Sequence, residues 1–168
     1  MPNSALAAQI VEHMQGRGLR LALAESLTGG ALASAVVDVP GASAVLLGSI
    51  VAYDTALKSA LLGVEAGLIE RVGAVDREVA LQMAAGARAR LAAAAEVSAE
   101  QVIGLSCTGV AGPDAQDGKP VGLVFIATDS PGGPRVHEFQ FAGTRFEIRS
   151  ATVRTALRLL ADQLDLRH

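Results

Sequence analysis

Aromatic residues are scarce in this sequence: 3% of 168 residues, with one tyrosine, four phenylalanines and no tryptophan. The core must therefore be assembled from Ala, Val, Leu and Ile, and small residues of this kind let helices pack closely against a sheet. There is one cysteine, Cys107, which excludes an intrachain disulfide framework. The three histidines are scattered, so no metal-ligand spacing is visible and no metal or other cofactor is expected. No basic run stands out and the net charge is −3, which argues against nucleic-acid binding through an electrostatic footprint. No apolar stretch is long enough to span a bilayer. Met1 to Leu21 carries Glu12, Arg17 and Arg20 in an amphipathic pattern, unlike the apolar core of a signal peptide. These absences leave the expectation of a soluble, cytoplasmic protein with no membrane or nucleic-acid partner.

What the chain does have is 51% hydrophobic residues in a length that suits one domain over residues 1–168 with a full core. Leu6, Ile10, Val11 and Met14 recur at helical spacing, with Ser4 as a candidate cap. The apolar run Leu19–Ala24 reads as a buried strand, and Ala31–Val37 as the helix after it. Leu46–Tyr53 is β-rich; Thr55–Leu62 and Glu65–Val72 read as short helices, and Asp76 is a good cap for a long Ala-rich helix reaching about Ala95. Val102–Cys107 reads as a third strand, followed by a long Gly/Pro-containing loop from Thr108 to Pro120. Val121–Thr128 and Arg135–Phe141 read as an antiparallel hairpin around Ser130–Pro134, and Thr144 starts a last helix. The expected architecture is α/β: a single three-layer α/β/α domain with a mixed sheet of about five strands. The Ala-rich helices could bury an apolar face against another subunit, so a homo-oligomer is expected.

Polar residues collect where strands end. The run Glu25-Ser26-Leu27-Thr28-Gly29-Gly30 lies between a strand and a helix start, the place where open α/β sheets bind ligands. Free N–H groups at a helix start attract anions, and glycines let a ligand come near the backbone. Ser26 is a candidate nucleophile, but a serine hydroxyl needs a base. His13, His137 and His168 fall in a helix, a strand and the terminus, so no Ser-His-Asp set is evident. Lys58 is the better base, provided burial or a neighbouring cation lowers its pKa. Tyr53 could relay a proton or orient the lysine. N–H groups of Gly29-Gly30 or of Gly109 could form an oxyanion hole. The Arg145 fork suits a phosphate or carboxylate. Each residue also has a plainer role: Ser26 and Thr28 as helix caps, Glu25 as partner of Arg145 or of a helix N-terminus. In the same vein, Tyr53 could be half-buried core, Lys58 a solvated helical lysine and Thr108-Gly109 a strand-ending turn.

Taken in order, the motifs resemble the C-terminal domain of the CinA (competence/damage-inducible) family, whose stand-alone members act as nicotinamide-nucleotide amidohydrolases. The segments that carry this are Ala24-Glu25-Ser26-Leu27-Thr28-Gly29-Gly30, Pro40-Gly41-Ala42-Ser43, Val51-Ala52-Tyr53 with Lys58, and Gly73-Ala74-Val75. Thr108-Gly109-Val110-Ala111-Gly112-Pro113, Lys119-Pro120-Val121-Gly122 and Phe141-Ala142-Gly143-Thr144-Arg145 with Arg149 complete the set. The resemblance implies hydrolysis of the carboxamide of nicotinamide mononucleotide to nicotinic acid mononucleotide and ammonia, without a metal. It places the family's serine on Ser26, its lysine on Lys58, its tyrosine on Tyr53, its loop hydroxyl on Thr108 and its arginine on Arg145. Glu25, Thr28, Gly29, Gly30 and Gly109 would line the substrate. Leu27, Asp54, Thr55, Asp76 and Thr144 depart from the family pattern; Asp54 and Thr55 flank the Tyr–Lys pair and leave open a nucleotide-binding module with a degenerate site.

Overall fold

The structure, a computed structural model, describes residues 3–166. Six helices and five strands alternate along these residues: α1 (Asn3–Gly16), β1 (Arg20–Glu25), α2 (Ala31–Val37), β2 (Leu46–Val51), α3 (Thr55–Leu62), α4 (Ala66–Val72) and α5 (Arg77–Ala94), then β3 (Val102–Gly109), β4 (Leu123–Asp129), β5 (Arg135–Gln140) and α6 (Arg145–Gln163). The strands form one mixed sheet in the order β2-β1-β3-β4-β5. β1 pairs in parallel with β2 and β3, whereas β3–β4 and β4–β5 are antiparallel.

Three apolar clusters cover the two faces of the sheet, the smallest formed by Ala80 and Ala84 of α5 with Phe125 and Ala127 of β4. On one face Leu21 and Leu23 of β1 join Leu105 of β3, Ile126 of β4 and the inner sides of α1, α2 and α6. On the other, Ala22 and Ala24 of the same β1 strand meet Leu62, Leu68, Val79 and Met83 of α3, α4 and α5. The alternation along β1 is the period-two signature of a strand buried on both sides. Scarce aromatics are offset by close backbone approach: a Cβ on Gly86 of α5 would collide with the Leu62 carbonyl at the end of α3. That contact presses α3 against α5.

Caps set several boundaries. Asp76 accepts from the Glu78 N–H at 2.8 Å and starts α5, a device worth about 1 kcal/mol. Thr144 and Glu147 form a reciprocal capping box at the start of α6. Other boundaries differ from the expectation. Ser4 lies inside α1, so it is not its cap. β3 continues through Thr108 and Gly109, because both residues still pair with Phe125 and Val124 of β4. β2 stops at Val51, and Tyr53 falls in the link to α3.

The chain leaves β1 through α2 to reach β2 on one side, then crosses through α3–α5 to β3 on the other. β1 and β3 therefore flank a topological switch point, and a crevice opens outside their carboxyl ends. Glu25 and Ser26 stand at one lip, Thr108 and Gly109 at the other.

Candidate active site

A cavity of about 190 Å³ occupies that crevice. Ser26, Leu27, Tyr53, Lys58, Thr108, Gly109 and Arg145 all border it, together with Ala74, Val75 and residues 110–112 of the following loop.

Ser26 follows β1 directly, and its N–H extends the parallel ladder by donating to the Cys107 carbonyl at 3.1 Å. Lys58 arrives from α3 on the opposite side of the crevice. Asp54 starts that helix as its cap, accepting from the Ala56 N–H at 2.8 Å. One turn later Lys58 is 1% exposed, among the largest fully buried side chains of the protein. Its Nζ donates to Ser26 Oγ at 3.1 Å and to the Ala52 carbonyl at 2.8 Å. Among the described residues no carboxylate stands within salt-bridge distance of it. Burial lowers its pKa from 10.5, opposed by the charge of Asp54 and then by Cys107. Nucleophile and amine thus meet directly, and the amine is pushed toward its neutral, basic form.

Glu25 is placed differently from the expectation of a substrate-binding carboxylate. It is wholly buried, and its two oxygens accept four hydrogen bonds, from the N–H groups of Gly30, Leu32 and Ala33 and from Ser49 Oγ, at 2.9–3.0 Å. The anion sought by the α2 N-terminus is this side chain itself, with all its lone pairs directed inward. The same arrangement withdraws the glycine turn from substrate. Gly30 sits at φ +97°, a left-handed conformation that favours glycine, and its N–H is spent on Glu25. The Gly29 N–H donates to the Ser26 carbonyl at 3.1 Å, and the Thr28 hydroxyl faces the core, 3.1 Å from Cys107 Sγ. Glu25, Thr28, Gly29 and Gly30 shape the Ser26 turn rather than line the cavity. Burial raises the Cys107 thiol to about 11, so it is an unreactive core group.

Two N–H groups of this turn remain open: among the described residues neither Leu27 nor Thr28 has a partner for its backbone N–H. Across the crevice, Val110 takes the ladder bond to Leu123, so the neighbouring Gly109 N–H faces away from β4, toward the end of β1. Thr108 is buried and its hydroxyl donates to the Ala74 carbonyl at 2.8 Å, tying β3 to the link before α5. Its oxygen remains free to accept.

Tyr53 is 59% exposed at the rim. Its hydroxyl takes its hydrogen bond from Arg145 Nη2 at 2.8 Å, and not from Lys58 or Ser26. Arg145 Nη1 reaches the Gly112 carbonyl at 2.7 Å. Tyr53 therefore belongs to a bridge over the cavity mouth, not to the Ser–Lys contact. The sequence reading did not single out Arg149 as a site residue, although it lies four residues beyond Arg145 on α6. Its Nε donates to the Leu27 carbonyl at 2.8 Å and its Nη2 to the Thr28 carbonyl at 2.9 Å. The i, i+4 spacing of the two arginines was the available signal.

Among the described residues no group of three or more His, Cys, Asp or Glu side chains is placed to hold a metal ion. No described helix is long and apolar enough to cross a membrane.

Comparison with known proteins agrees with this fold. Residues 3–164 match the family model described as the CinA C-terminal domain. The chain is 45% identical over 148 residues to a CinA-like protein of Frankia casuarinae, covering 88% of this chain and 32% of that protein. It spans about a third of the length of the curated relatives it matches. The crystal structure of the competence/damage inducible protein CihA from Agrobacterium tumefaciens superposes with a TM-score of 0.87 at 39% identity, covering 97% of this chain and 95% of that one. A CinA superfamily protein from Escherichia coli gives 0.87 at 30% identity, covering 96% and 90%.

Proposed function

The chain belongs to the CinA C-terminal domain family, and from that premise we propose that it is a metal-independent amidohydrolase acting on the carboxamide of nicotinamide mononucleotide. The observation that carries the proposal is the 3.1 Å contact between Ser26 Oγ and Lys58 Nζ, with the amine buried and uncompensated by a carboxylate. The chemistry follows from that contact. Neutral Lys58 takes the Ser26 proton as Oγ attacks the carboxamide carbon, and the carbonyl π electrons move onto oxygen. The N–H groups of Leu27 and Gly109 are the available donors for that oxyanion. Collapse expels ammonia, with Lys58 returning the proton to nitrogen. Water then attacks the acyl ester, Lys58 again takes the proton, and Ser26 is regenerated beside a carboxylate product. The Ala52 carbonyl keeps the amine aimed throughout.

A cavity of about 190 Å³ is smaller than the ~300–1,000 Å³ typical of whole-ligand pockets. It suits the reacting head of the substrate, with the ribose and phosphate extending past the exposed Tyr53–Arg145 rim. There the Arg145 fork can exchange its present partners for the anionic end. Tyr53 assists by holding that fork. The reading also includes a cytoplasmic location and a homo-oligomer; exposed Val37, Leu57, Leu61 and Phe146 support self-association.

Ammonia release from nicotinamide mononucleotide by the purified protein is the test, with Ser26→Ala as the control that abolishes it. One observation favours a second reading, a nucleotide-binding module without turnover: the Asp54 charge opposes the neutral state of Lys58. Tight nucleotide binding with no ammonia released would select it.

A further inference from the structure

We propose that Arg149 is a positioning residue that holds the Ser26 turn in its reactive form. The inference rests on the amidohydrolase reading and adds a residue to it. Arg149 comes from α6, more than a hundred residues along the chain, and spends its fork on two consecutive carbonyls, those of Leu27 and Thr28. The Thr28 carbonyl also accepts from the Ala31 N–H at 3.1 Å, whereas among the described residues the Leu27 carbonyl is held by Arg149 alone. The other anchors of the turn are the Ser26 N–H on β3, the Gly29 N–H on Ser26, the Thr28 hydroxyl against Cys107 Sγ and the Glu25 carboxylate on the N–H groups of Gly30, Leu32 and Ala33. None of these touches the Leu27–Thr28 peptide.

The carbonyl of Leu27 and the N–H of Thr28 belong to one planar trans unit and point in opposite directions. The guanidinium fixes the carbonyl end, so it also fixes where that N–H points. Thr28 is wholly buried and does not border the cavity, so this peptide sets the path of the chain at Ser26 and does not touch substrate. A residue that aims the nucleophile in this way acts on kcat more than on KM.

Arg149 is not fully enclosed: it also borders an open groove of about 540 Å³ between α1, α2 and α6. A small cation can therefore reach its place, which permits chemical rescue. The experiment compares wild type, Arg149→Ala and Arg149→Lys in ammonia release from nicotinamide mononucleotide, with hydrogen exchange of the segment 26–30 measured alongside. Arg149→Ala is expected to lower kcat about 30-fold or more with KM within about twofold. Guanidinium chloride at millimolar, non-denaturing concentration restores part of the rate, and sodium chloride does not. Arg149→Lys keeps an intermediate rate, because an ammonium is a point charge rather than a fork. Exchange of the turn amides rises in Arg149→Ala while that of β3 does not. An active wild type with an equally active Arg149→Ala variant overturns the inference and leaves the amidohydrolase reading intact. A loss of rate with unchanged turn exchange and no guanidinium rescue also overturns it. A wild type that releases no ammonia overturns the amidohydrolase reading and this inference with it.

Discussion

Two buried ionisable side chains flank Ser26, and the protein treats them in opposite ways. Glu25, at the end of β1, is surrounded by donors from α2 and β2 and accepts four hydrogen bonds. Lys58, on α3, has a hydroxyl and one carbonyl and no ion-pair partner among the described residues. Burying a charge is tolerated when hydrogen bonds or a counter-charge compensate it, and otherwise the group shifts toward neutrality. Glu25 meets the first condition fully, with four donors directed at its oxygens, and builds the turn. Lys58 has two hydrogen bonds and no ion pair among the described residues, and burial lowers its pKa, the direction that proton transfer requires. The contrast separates, on the two sides of Ser26, the side chain that builds the turn from the one proposed to carry the chemistry.

The largest expected effect comes from removing the amine. Lys58→Met should abolish ammonia release, a fall of about three orders of magnitude or more. It should also raise the thermal midpoint at neutral pH, because an apolar chain of similar length replaces a costly buried amine. A variant that keeps its activity would break the contrast on the Lys58 side.

Glu25→Gln sharpens the other side. An NH₂ group in place of Oε2 would face the N–H groups of Gly30 and Leu32, and one in place of Oε1 would face the Ala33 N–H while the Ser49 hydroxyl turns to accept, so at least one hydrogen bond becomes a repulsive contact. We expect a loss of about 3 kcal/mol in stability, seen as a fall of about 6–12 °C in Tm. An unchanged midpoint would mean that the carboxylate is not what holds α2.

The architecture was legible because it is written locally. The apolar run of β1, the Asp76 cap and Thr144 as a helix start are short-range signals, and each marks an element that the structure contains. Ser26 and Lys58 follow neighbouring strands, and their side chains meet at 3.1 Å. What the sequence reading could not place were partners set by chain crossings. Glu25 was read both as a substrate ligand and as a helix-start anion; only the fold of α2 back over β1, with Ser49 from β2, decides for the second. Tyr53 was paired with the lysine five residues on, but it lies before the α3 cap and turns outward to Arg145. Arg149 stands in the motif set without a site role, because its partners lie 121 and 122 residues away.

A third prediction concerns pH. The Lys58 pKa is lowered from 10.5, so below 10.5 and above the folded value the unfolded chain binds the extra proton. Stability should therefore rise with pH across that window, with the penalty complete below the folded value and absent above 10.5. The rate should rise through the folded value, since only the neutral amine accepts the Ser26 proton. Chemical denaturation at several pH values checks the first slope, and Lys58→Met should flatten it.

The smallest effect is expected at Asp54. Asp54→Asn keeps a side-chain oxygen for the α3 cap but removes the charge that raises the Lys58 pKa. The acid limb of the rate should move to lower pH while Tm changes by about 0.5 kcal/mol equivalent or less. A limb that stays in place would show that Asp54 does not sense the amine.

The most direct test of a neutral Lys58 activating Ser26 is the pH–rate profile of ammonia release from nicotinamide mononucleotide, run with wild type and Ser26→Ala side by side. The account predicts release by wild type with an acid limb below the 10.5 of an ordinary lysine, and none by Ser26→Ala. Full release by Ser26→Ala, or no release by wild type at any pH, would contradict it.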